Sequence, residues 1–325
     1  TTPPAVKVNP DGNYLGHRPY DPVRRRHGPY AWQTYRQVDK RVTFFGSGLV
    51  RLEERFVKKG AQRGLALYSV NRPEWTISEQ AANAYSLWVS ALYDTLGSSA
   101  LEFILNHAEM PICVTSSDKI PGLLKLAGKL PHLKVIISMD SLAPEADGGR
   151  GPPGATAQPP APGAGATSAG TVLREWGAAV GIQVFDFNEV EAMGAADTRP
   201  HVPPKPSDVA CICYTSGTTG EPKGAILTHQ NYVAAAGAIL RAGAELNRDD
   251  VLISYLPLAH VFERLTEVIM VTVAGSIGFY RGDVLQLVDD MAVLRPTFFP
   301  SVPRLLVGGV FDVPARTVGT DAPHC

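Results

Sequence analysis

A run of glycines, hydroxyl side chains and one lysine directly follows an apolar segment, and its composition is typical of an anion-binding loop. Glycine lets backbone N–H groups approach a ligand closely, and a concave row of such groups attracts an anion. Serine and threonine hydroxyls donate to phosphate oxygens, and a lysine adds a compact positive charge. The sequence therefore predicts a phosphate-binding loop, formed by Tyr214-Thr215-Ser216-Gly217-Thr218-Thr219-Gly220-Glu221-Pro222-Lys223-Gly224.

Two other interpretations of this run are weaker. A Walker A loop needs Ser or Thr directly after its lysine, whereas Lys223 lies between Pro222 and Gly224. A polar surface turn is the second alternative, but turns seldom need this many hydroxyls beside the end of a strand.

The elements that must position the loop follow from hydrophobic patterning. Apolar positions between Tyr35 and Phe56 recur every three or four residues, which predicts a helix. A further helix is predicted at Asn231 to Arg241, with Thr228 as its cap. Short apolar runs between such helices predict strands at Leu65–Val70, Val89–Tyr93, Ile112–Thr115, Val135–Met139, Ile182–Phe187, Val209–Cys213 and Val251–Ser254. The alternation predicts an α/β fold with doubly wound, mostly parallel sheets and helices on both faces.

Ligands of open α/β sheets bind outside the carboxyl ends of the strands. The glycine-rich run follows one predicted strand, and a second polar run follows the strand Val251–Ser254. That second run is Tyr255-Leu256-Pro257-Leu258-Ala259-His260-Val261-Phe262-Glu263-Arg264. We expect the two strand ends to converge on one pocket.

Composition limits the functional classes. The chain has 325 residues, a formal net charge of −1 and an ordinary balance of apolar and charged residues, which gives no electrostatic case for nucleic acid. The basic cluster Arg24–His27 is interpreted as a solvated arm, with contact to anionic lipid or to phosphates as the alternative. The four cysteines form no Cys-x-x-Cys pair, so no disulfide framework or zinc site is expected.

Cys211 and Cys213 should lie on one face of their strand, where we interpret them as small buried hydrophobes and not as nucleophiles. Residues 144–170 are mostly Gly, Pro and Ala and have little to bury, so they are predicted to be a disordered insertion or linker. A docking segment for a partner is the alternative there.

The two polar runs resemble motifs of the adenylate-forming enzymes, a family that includes acyl-CoA synthetases, luciferases and adenylation domains of peptide synthetases. The glycine-rich run is similar to the signature loop of that family, and the run ending in Phe262-Glu263-Arg264 is similar to its next motif, in the form of the long-chain fatty acyl-CoA synthetase branch. The similarity extends from about Tyr30 to Leu306, with a gap in the middle, and includes Leu92 to Gly97.

The resemblance implies a two-step reaction with ATP, Mg²⁺ and CoA. A long-chain fatty acid attacks the α-phosphorus of ATP, and CoA then takes the acyl group from the resulting adenylate. It also implies that His260 lies near the substrate carboxylate, although a lone histidine is more often structural. ATP phosphates would contact Thr215, Ser216, Gly217, Thr218, Thr219, Gly220 and Lys223, with Thr215 also reaching Mg²⁺.

Three further roles stay open at this stage. Glu263 and Arg264 either contact substrate or provide a helix-terminal charge and a local ion pair. An acyl tunnel could be lined by Val261, Phe262, Val268 and Ile269, or by Phe298 and Phe299, with ordinary core packing as the default.

The resemblance also predicts the domain organisation. Residues 1–306 match a partial large N-terminal AMP-binding domain, interrupted by 144–170, and residues 307–325 form an unmatched tail. No counterpart of the family's adenine segment, ribose-binding aspartate, hinge or C-terminal lid domain follows. We therefore expect this chain alone to have little or no ligase activity. The alternatives are a non-catalytic nucleotide-binding or interaction fragment and a ligase for another carboxylic acid.

We expect a cytoplasmic protein or one peripheral on the cytosolic face of a membrane, such as the endoplasmic reticulum, a lipid droplet or a peroxisome. The apolar run Val268 to Tyr280 is shorter than the roughly 20 residues that a spanning helix needs, so no transmembrane segment is predicted.

Overall fold

The computed structural model describes residues 4–93, 97–143, 168–215 and 222–302. The predictions for 216–221, for most of the insertion (144–167) and for the tail beyond 302 lie outside these residues. They stay predictions.

Thirteen strands are present in the described part of the chain. In chain order they are β1 (Asn13–His17), β2 (Tyr20–Asp21), β3 (Arg26–His27), β4 (Ala31–Thr34), β5 (Gly64–Tyr68), β6 (Trp88–Ala91), β7 (Ile112–Thr115), β8 (Val135–Ser138), β9 (Gln183–Asp186), β10 (Val209–Thr215), β11 (Lys223–Thr228), β12 (Val251–Ser254) and β13 (Ser276–Phe279).

The helices lie between and around these strands. They are α1 (Pro4–Val8), α2 (Tyr35–Phe56), α3 (Pro73–Ala84), α4 (Gly97–His107), α5 (Ile120–Lys125), α6 (Ala169–Ala179), α7 (Phe187–Ala196), α8 (His229–Arg241), α9 (Val261–Val273) and α10 (Leu287–Leu294).

The larger sheet has seven strands in the order β11-β10-β6-β5-β7-β8-β9, and every neighbouring pair is parallel except β10 with β11. A second sheet has the order β12-β13-β1-β4, in which only β1 and β4 are antiparallel. The predicted α/β architecture is confirmed. Every predicted strand coincides with an observed one to within a few residues, whereas β11, β13 and the N-terminal strands were not predicted.

The larger sheet is covered on both faces. Leu65, Leu67 and Val89 belong to one hydrophobic cluster, whereas Ala66 and Cys113 belong to a second. All residues of β7 and β8 are buried, as expected for parallel strands beneath helices on both sides.

Helix starts follow local capping chemistry. Thr34, Asp186 and Thr228 each accept a hydrogen bond from the backbone N–H three residues later, where a Gln, Glu or Asn returns the bond. The predicted cap of α8 is thus confirmed, although the helix begins two residues earlier than expected.

Two predicted boundaries differ from the structure. Asn71 and Pro73 predict the start of a helix, with Asn71 at the cap and Pro73 in the first turn, but the N-cap of α3 is Arg72, because the side chain of Asn71 forms hydrogen bonds elsewhere. Ala169 and Gly170, which the composition assigned to the insertion, form the first turn of α6, because Ser168 caps this helix and Gly170 packs closely against the backbone of Leu142.

Candidate functional site

The predicted phosphate loop connects β10 to β11 at the carboxyl edge of the parallel strands. Thr215 is the last residue of β10 and Lys223 the first of β11; both are exposed and lie opposite each other in the antiparallel ladder. The Thr215 hydroxyl donates to the carbonyl oxygen of Lys223 at 3.4 Å. The two strands therefore hold both ends of the loop, while Ser216, Gly217, Thr218, Thr219 and Gly220 lie outside the described residues.

Tyr93 connects this strand end to His260. The Tyr93 hydroxyl donates to the carbonyl oxygen of Tyr214 at 2.5 Å, and the rings of Tyr93 and His260 are 5.9 Å apart between centroids. Burial raises the pKa of Tyr93. The side chain of Tyr93 thus contacts both of the strand ends that the sequence predicts to converge.

His260 is the N-cap residue of α9 and is exposed. Its backbone N–H donates to the carbonyl oxygen of Pro257 at 2.9 Å, and its side chain makes no capping bond. The imidazole is therefore available to a ligand at the sheet edge and is not a histidine satisfied in the core.

Asn71 fixes the segment that carries His260. Its amide nitrogen donates to Ser254 Oγ at 2.9 Å and to the Leu256 carbonyl oxygen at 2.7 Å, while its amide oxygen accepts from the backbone N–H of Leu258 at 3.1 Å. Because Asn71 follows β5, it joins the carboxyl end of the large sheet to the end of β12. The residue is 5% exposed, so these bonds are shielded from water.

Glu263 and Arg264 are both buried, so a solvated helix-terminal charge does not describe either of them. The Arg264 guanidinium lies 3.2 Å from Glu79 Oε1 on α3 and 5.0 Å from the ring of Trp75. Within the described residues, neither carboxylate oxygen of Glu263 has a hydrogen-bond partner. Burial, together with the nearby Glu267, raises the pKa of Glu263 well above its usual range.

Glu267 lies one helical turn further along α9. Its carboxylate accepts hydrogen bonds from Thr76 at 3.0 Å and Ser254 at 3.1 Å. Burial and the charge of Glu79 raise the pKa of Glu267 to about 8. A carboxyl group is therefore kept largely protonated at neutral pH next to a buried arginine.

A cavity of about 250 Å³ lies beside this polar layer, between α3, α8, α9 and Ala210 of β10. Val268 lines it, Ile269 is packed in the interior, and Val261 and Phe262 are partly exposed on the outer surface. Phe299 instead stacks on Tyr255 at 5.2 Å, away from this cavity. A second cavity of about 260 Å³ shares Gln80, Asn83 and Val271 with the first.

Two positioning residues were not singled out by sequence reasoning. Tyr93 lies within the Leu92–Gly97 similarity, which indicates no role for its side chain, and the sequence predicts Asn71 as a helix cap. The pattern Asn71-Arg72-Pro73 predicts a helix start, and only the fold brings Asn71 next to β12. Tyr214 was placed in the loop, yet its side chain is buried and its hydroxyl lies 2.7 Å from His107 Nδ1.

The family model described as "AMP-binding enzyme" matches residues 16–318. The chain belongs to this family. The match includes both motif runs, the converging strand ends and the residues that join them.

The chain is 40% identical over 298 residues to the peroxisomal acyl-CoA ligase 891 of Penicillium brevicompactum, which covers 91% of this chain and 40% of that protein. It is 38% identical over 307 residues to the human long-chain-fatty-acid–CoA ligase 1, covering 93% of this chain and 39% of that protein. The chain thus spans about 40% of the length of these relatives.

Solved structures share the fold. The adenylation domain of a carboxylate reductase from Mycobacterium chelonae matches with a TM-score of 0.71 at 18% identity, over 93% of this chain and 45% of that one. The corresponding domain from Segniliparus rugosus, solved with AMP and a carboxylic acid, matches with a TM-score of 0.69 at 20% identity, over 88% and 45%.

Among the described helices, none combines the length and apolar character that crossing a bilayer requires. The described residues also contain no group of three or more His, Cys, Asp or Glu side chains arranged to hold a metal ion.

Proposed function

We propose that this chain is the phosphate-binding part of a ligase that activates a long-chain fatty acid with ATP and transfers the acyl group to CoA. The observation that carries the proposal is the convergence, through Tyr93, of the β10–β11 loop with His260. Family membership and relatives named as acyl-CoA ligases support it.

ATP would bind with its β- and γ-phosphates in the loop that starts at Thr215 and ends at Lys223. Attack by a carboxylate on ATP brings two anions together, so the loop must neutralise the phosphates before reaction occurs. Backbone N–H groups, hydroxyls and the Lys223 ammonium group supply that neutralisation without a covalent enzyme intermediate.

His260 would lie against the reacting carboxylate and the α-phosphate. Its exposure at the start of α9 leaves the ring open to a ligand, and the N-terminus of a helix favours a nearby negative charge. Asn71 and Tyr93 would act as positioning residues, since both hold backbone segments and neither needs to touch substrate.

Mg²⁺ would neutralise the triphosphate further and polarise its phosphoryl oxygens. Thr215 fits this ion as a single hydroxyl ligand because its side chain is at the exposed strand end. Mg²⁺ usually takes one or two protein ligands, with substrate phosphates and water completing its shell. The described residues are therefore better suited to an ion that arrives bound to ATP than to an ion held in a dedicated protein site.

The acyl chain would enter the cavity lined by Val268. The cavity adjoins the polar layer that holds Arg264 and Glu267, and the second cavity beyond Gln80 extends it. Together the two spaces favour a long aliphatic carboxylate over a short or aryl acid. For such a substrate we also propose peripheral contact with a membrane surface as the source of fatty acid.

Nucleotide binding is tested directly by replacing Lys223. Titration calorimetry with Mg-ATP should show affinity for the unaltered chain and a loss of about tenfold or more in Lys223→Ala, since one charge-assisted contact contributes about 1.5–3 kcal/mol. Lys205→Ala is the matched control: it removes an exposed lysine before β10 and should leave affinity unchanged. Equal affinities for all three proteins would contradict the phosphate assignment.

Determining the substrate class requires a longer protein, because this chain spans about 40% of the length of its relatives. We expect palmitate-dependent pyrophosphate release from the product of a longer transcript containing this sequence. His260→Ala should reduce that release while Mg-ATP binding persists. Release that depends on a short or aryl acid and not on palmitate would keep the ATP site but overturn the long-chain assignment.

A further inference from the structure

Cys211 and Cys213 lie in contact on one face of β10. Their sulfur atoms are 3.5 Å apart, and Cys211 Sγ lies 3.0 Å from the hydroxyl of Tyr232 on α8. Cys211 is fully buried, whereas Cys213 is partly exposed. Sequence reasoning put both on one face but treated them as inert hydrophobes, because neither has a histidine nearby in the sequence.

Charged and titratable groups from three other elements face this pair. Arg264 of α9 is the nearby cation, Glu79 of α3 is the nearby acid, and Tyr93 and Tyr232 lie close to one thiol each. The hydrogen bond between the two thiols and the Arg264 charge lower the pKa of Cys213 to about 7, while the same bond and burial raise the pKa of Cys211. One thiol is thus activated and its neighbour remains protonated.

We propose that Cys213 and Cys211 form a redox-active dithiol that hydrogen peroxide oxidises to a disulfide. The Cys213 thiolate attacks a peroxide oxygen, the O–O bond breaks, hydroxide leaves, and Cys213 becomes a sulfenic acid. Cys211 sulfur then attacks Cys213 sulfur, the S–O bond breaks, and water leaves with the proton from Cys211. The dithiol loses two electrons, and the peroxide is reduced to two molecules of water.

The strand geometry makes this disulfide easy to reduce. Residues two apart on a strand have Cα atoms separated by about 6.6 Å, near the upper limit of about 6.8 Å for disulfides. Strained disulfides have the more oxidising potentials, typical of labile and regulatory pairs rather than structural ones. Because this inference rests on the two thiols of β10 and the side chains packed against them, and not on a bound substrate, it stands whether or not the chain takes part in acyl-CoA formation.

The test uses the full chain carrying Cys325→Ser, which removes a cysteine outside the described residues. After treatment with hydrogen peroxide and blocking of free thiols, peptide mass mapping should find the peptide with Cys211 and Cys213 lighter by two hydrogen atoms. In a Cys211→Ser variant the disulfide cannot form, and dimedone should label Cys213 as its sulfenic acid. Cys113 is the internal control, since burial raises its pKa to about 12.

A pH profile supplies a second readout. The rate of iodoacetamide labelling at Cys213 should reach half its maximum at a lower pH than the value of about 8.5 for an ordinary thiol, because the bond to Cys211 and the Arg264 charge lower the pKa of Cys213. A midpoint at or above 8.5, or peroxide oxidation of Cys213 no faster than that of Cys113, would overturn the proposal. The mapping of the Cys325→Ser chain does not depend on the folding of the Cys211→Ser variant.

Discussion

Arg72 and Arg264 each form an ion pair with a glutamate of α3, yet the pKa values of the carboxyl groups around the two arginines are shifted in opposite directions. Arg72 donates to Glu74 at 2.8 Å, to Asp140 at 2.7 Å and to the carbonyl oxygen of Met139. Although burial opposes ionisation of Glu74 and Asp140, the Arg72 charge and its hydrogen bonds lower the pKa of both groups. This site is a closed network of ionised partners.

Arg264 is more deeply buried and less well paired. Within the described part of the chain, none of its guanidinium nitrogens makes a hydrogen bond of good geometry, and Glu79 is its ion-pair partner. Glu267 lies near both Glu79 and Arg264, and Glu263 lies near Glu267, so three carboxyl groups cluster around a single buried cation that pairs with Glu79. Burial therefore dominates, and the pKa values of all three carboxyl groups are raised.

The difference shows that burial alone does not decide the charge state of an acidic group. Oriented hydrogen bonds from a guanidinium can compensate for the desolvation of a carboxylate, whereas an arginine that stacks on an aromatic ring compensates much less. The network of Arg72 holds two strand ends together. The layer of Arg264 borders the cavity, where a ligand can supply the missing polar partners.

The largest expected effect comes from removing each arginine in turn. Arg72→Met leaves two ionised carboxylates without their cation and should lower the free energy of unfolding at pH 7 by about 3–5 kcal/mol. Arg264→Met should cost less, because Glu79 can take up a proton instead and Glu267 already holds one. Urea unfolding of both variants measures this difference. Equal losses would mean that the two arginines are paired alike.

The pH dependence of stability should separate the two regions. The pKa of Glu267 is about 8 in the folded chain against an ordinary value of 4.5, so the folded state binds the proton more tightly. Its contribution to stability is complete below pH 4.5 and is lost as the pH rises towards 8. That loss is on the order of a few kcal/mol.

Glu267→Gln should remove this loss, so that the unfolding midpoint changes less between pH 5 and 8 than in the unaltered chain. Glu74→Gln is the matched control on the other side of α3. Since the folded pKa of Glu74 is lowered, its contribution is present above the ordinary value and disappears only in acid. A steeper alkaline loss in Glu267→Gln would contradict the raised pKa.

A smaller effect is expected from replacing Asn71, an uncharged residue that connects the end of the large sheet to the end of β12. Asn71→Leu removes the bonds to Ser254, Leu256 and Leu258 and should lower the free energy of unfolding by about 1–3 kcal/mol. Because no ionisable group is lost, the cost should be the same at pH 5 and pH 8. A cost that varied with pH would show that Asn71 also controls the charge state of Glu267.

Local patterning predicted much of the fold. The strands Ile112–Thr115 and Val251–Ser254 were predicted at their observed bounds, since short apolar runs between helices leave few alternatives. The strand β11 was missed because its apolar run, Ala225 to Leu227, is only three residues long and follows the glycine-rich run. Its partner is β10, and that pairing is a tertiary property.

The amino-acid sequence by itself determined the α/β architecture, the position of the glycine-rich run after β10 and the placement of His260 after β12, because each depends on residues adjacent in the chain. The tertiary structure decided which polar groups are paired. Tyr93 meets His260, Asn71 meets Ser254, and Cys213 meets Arg264 only after sheets and helices pack. Their pKa values and hydrogen bonds depend on burial and on partners distant in sequence, which no local pattern encodes.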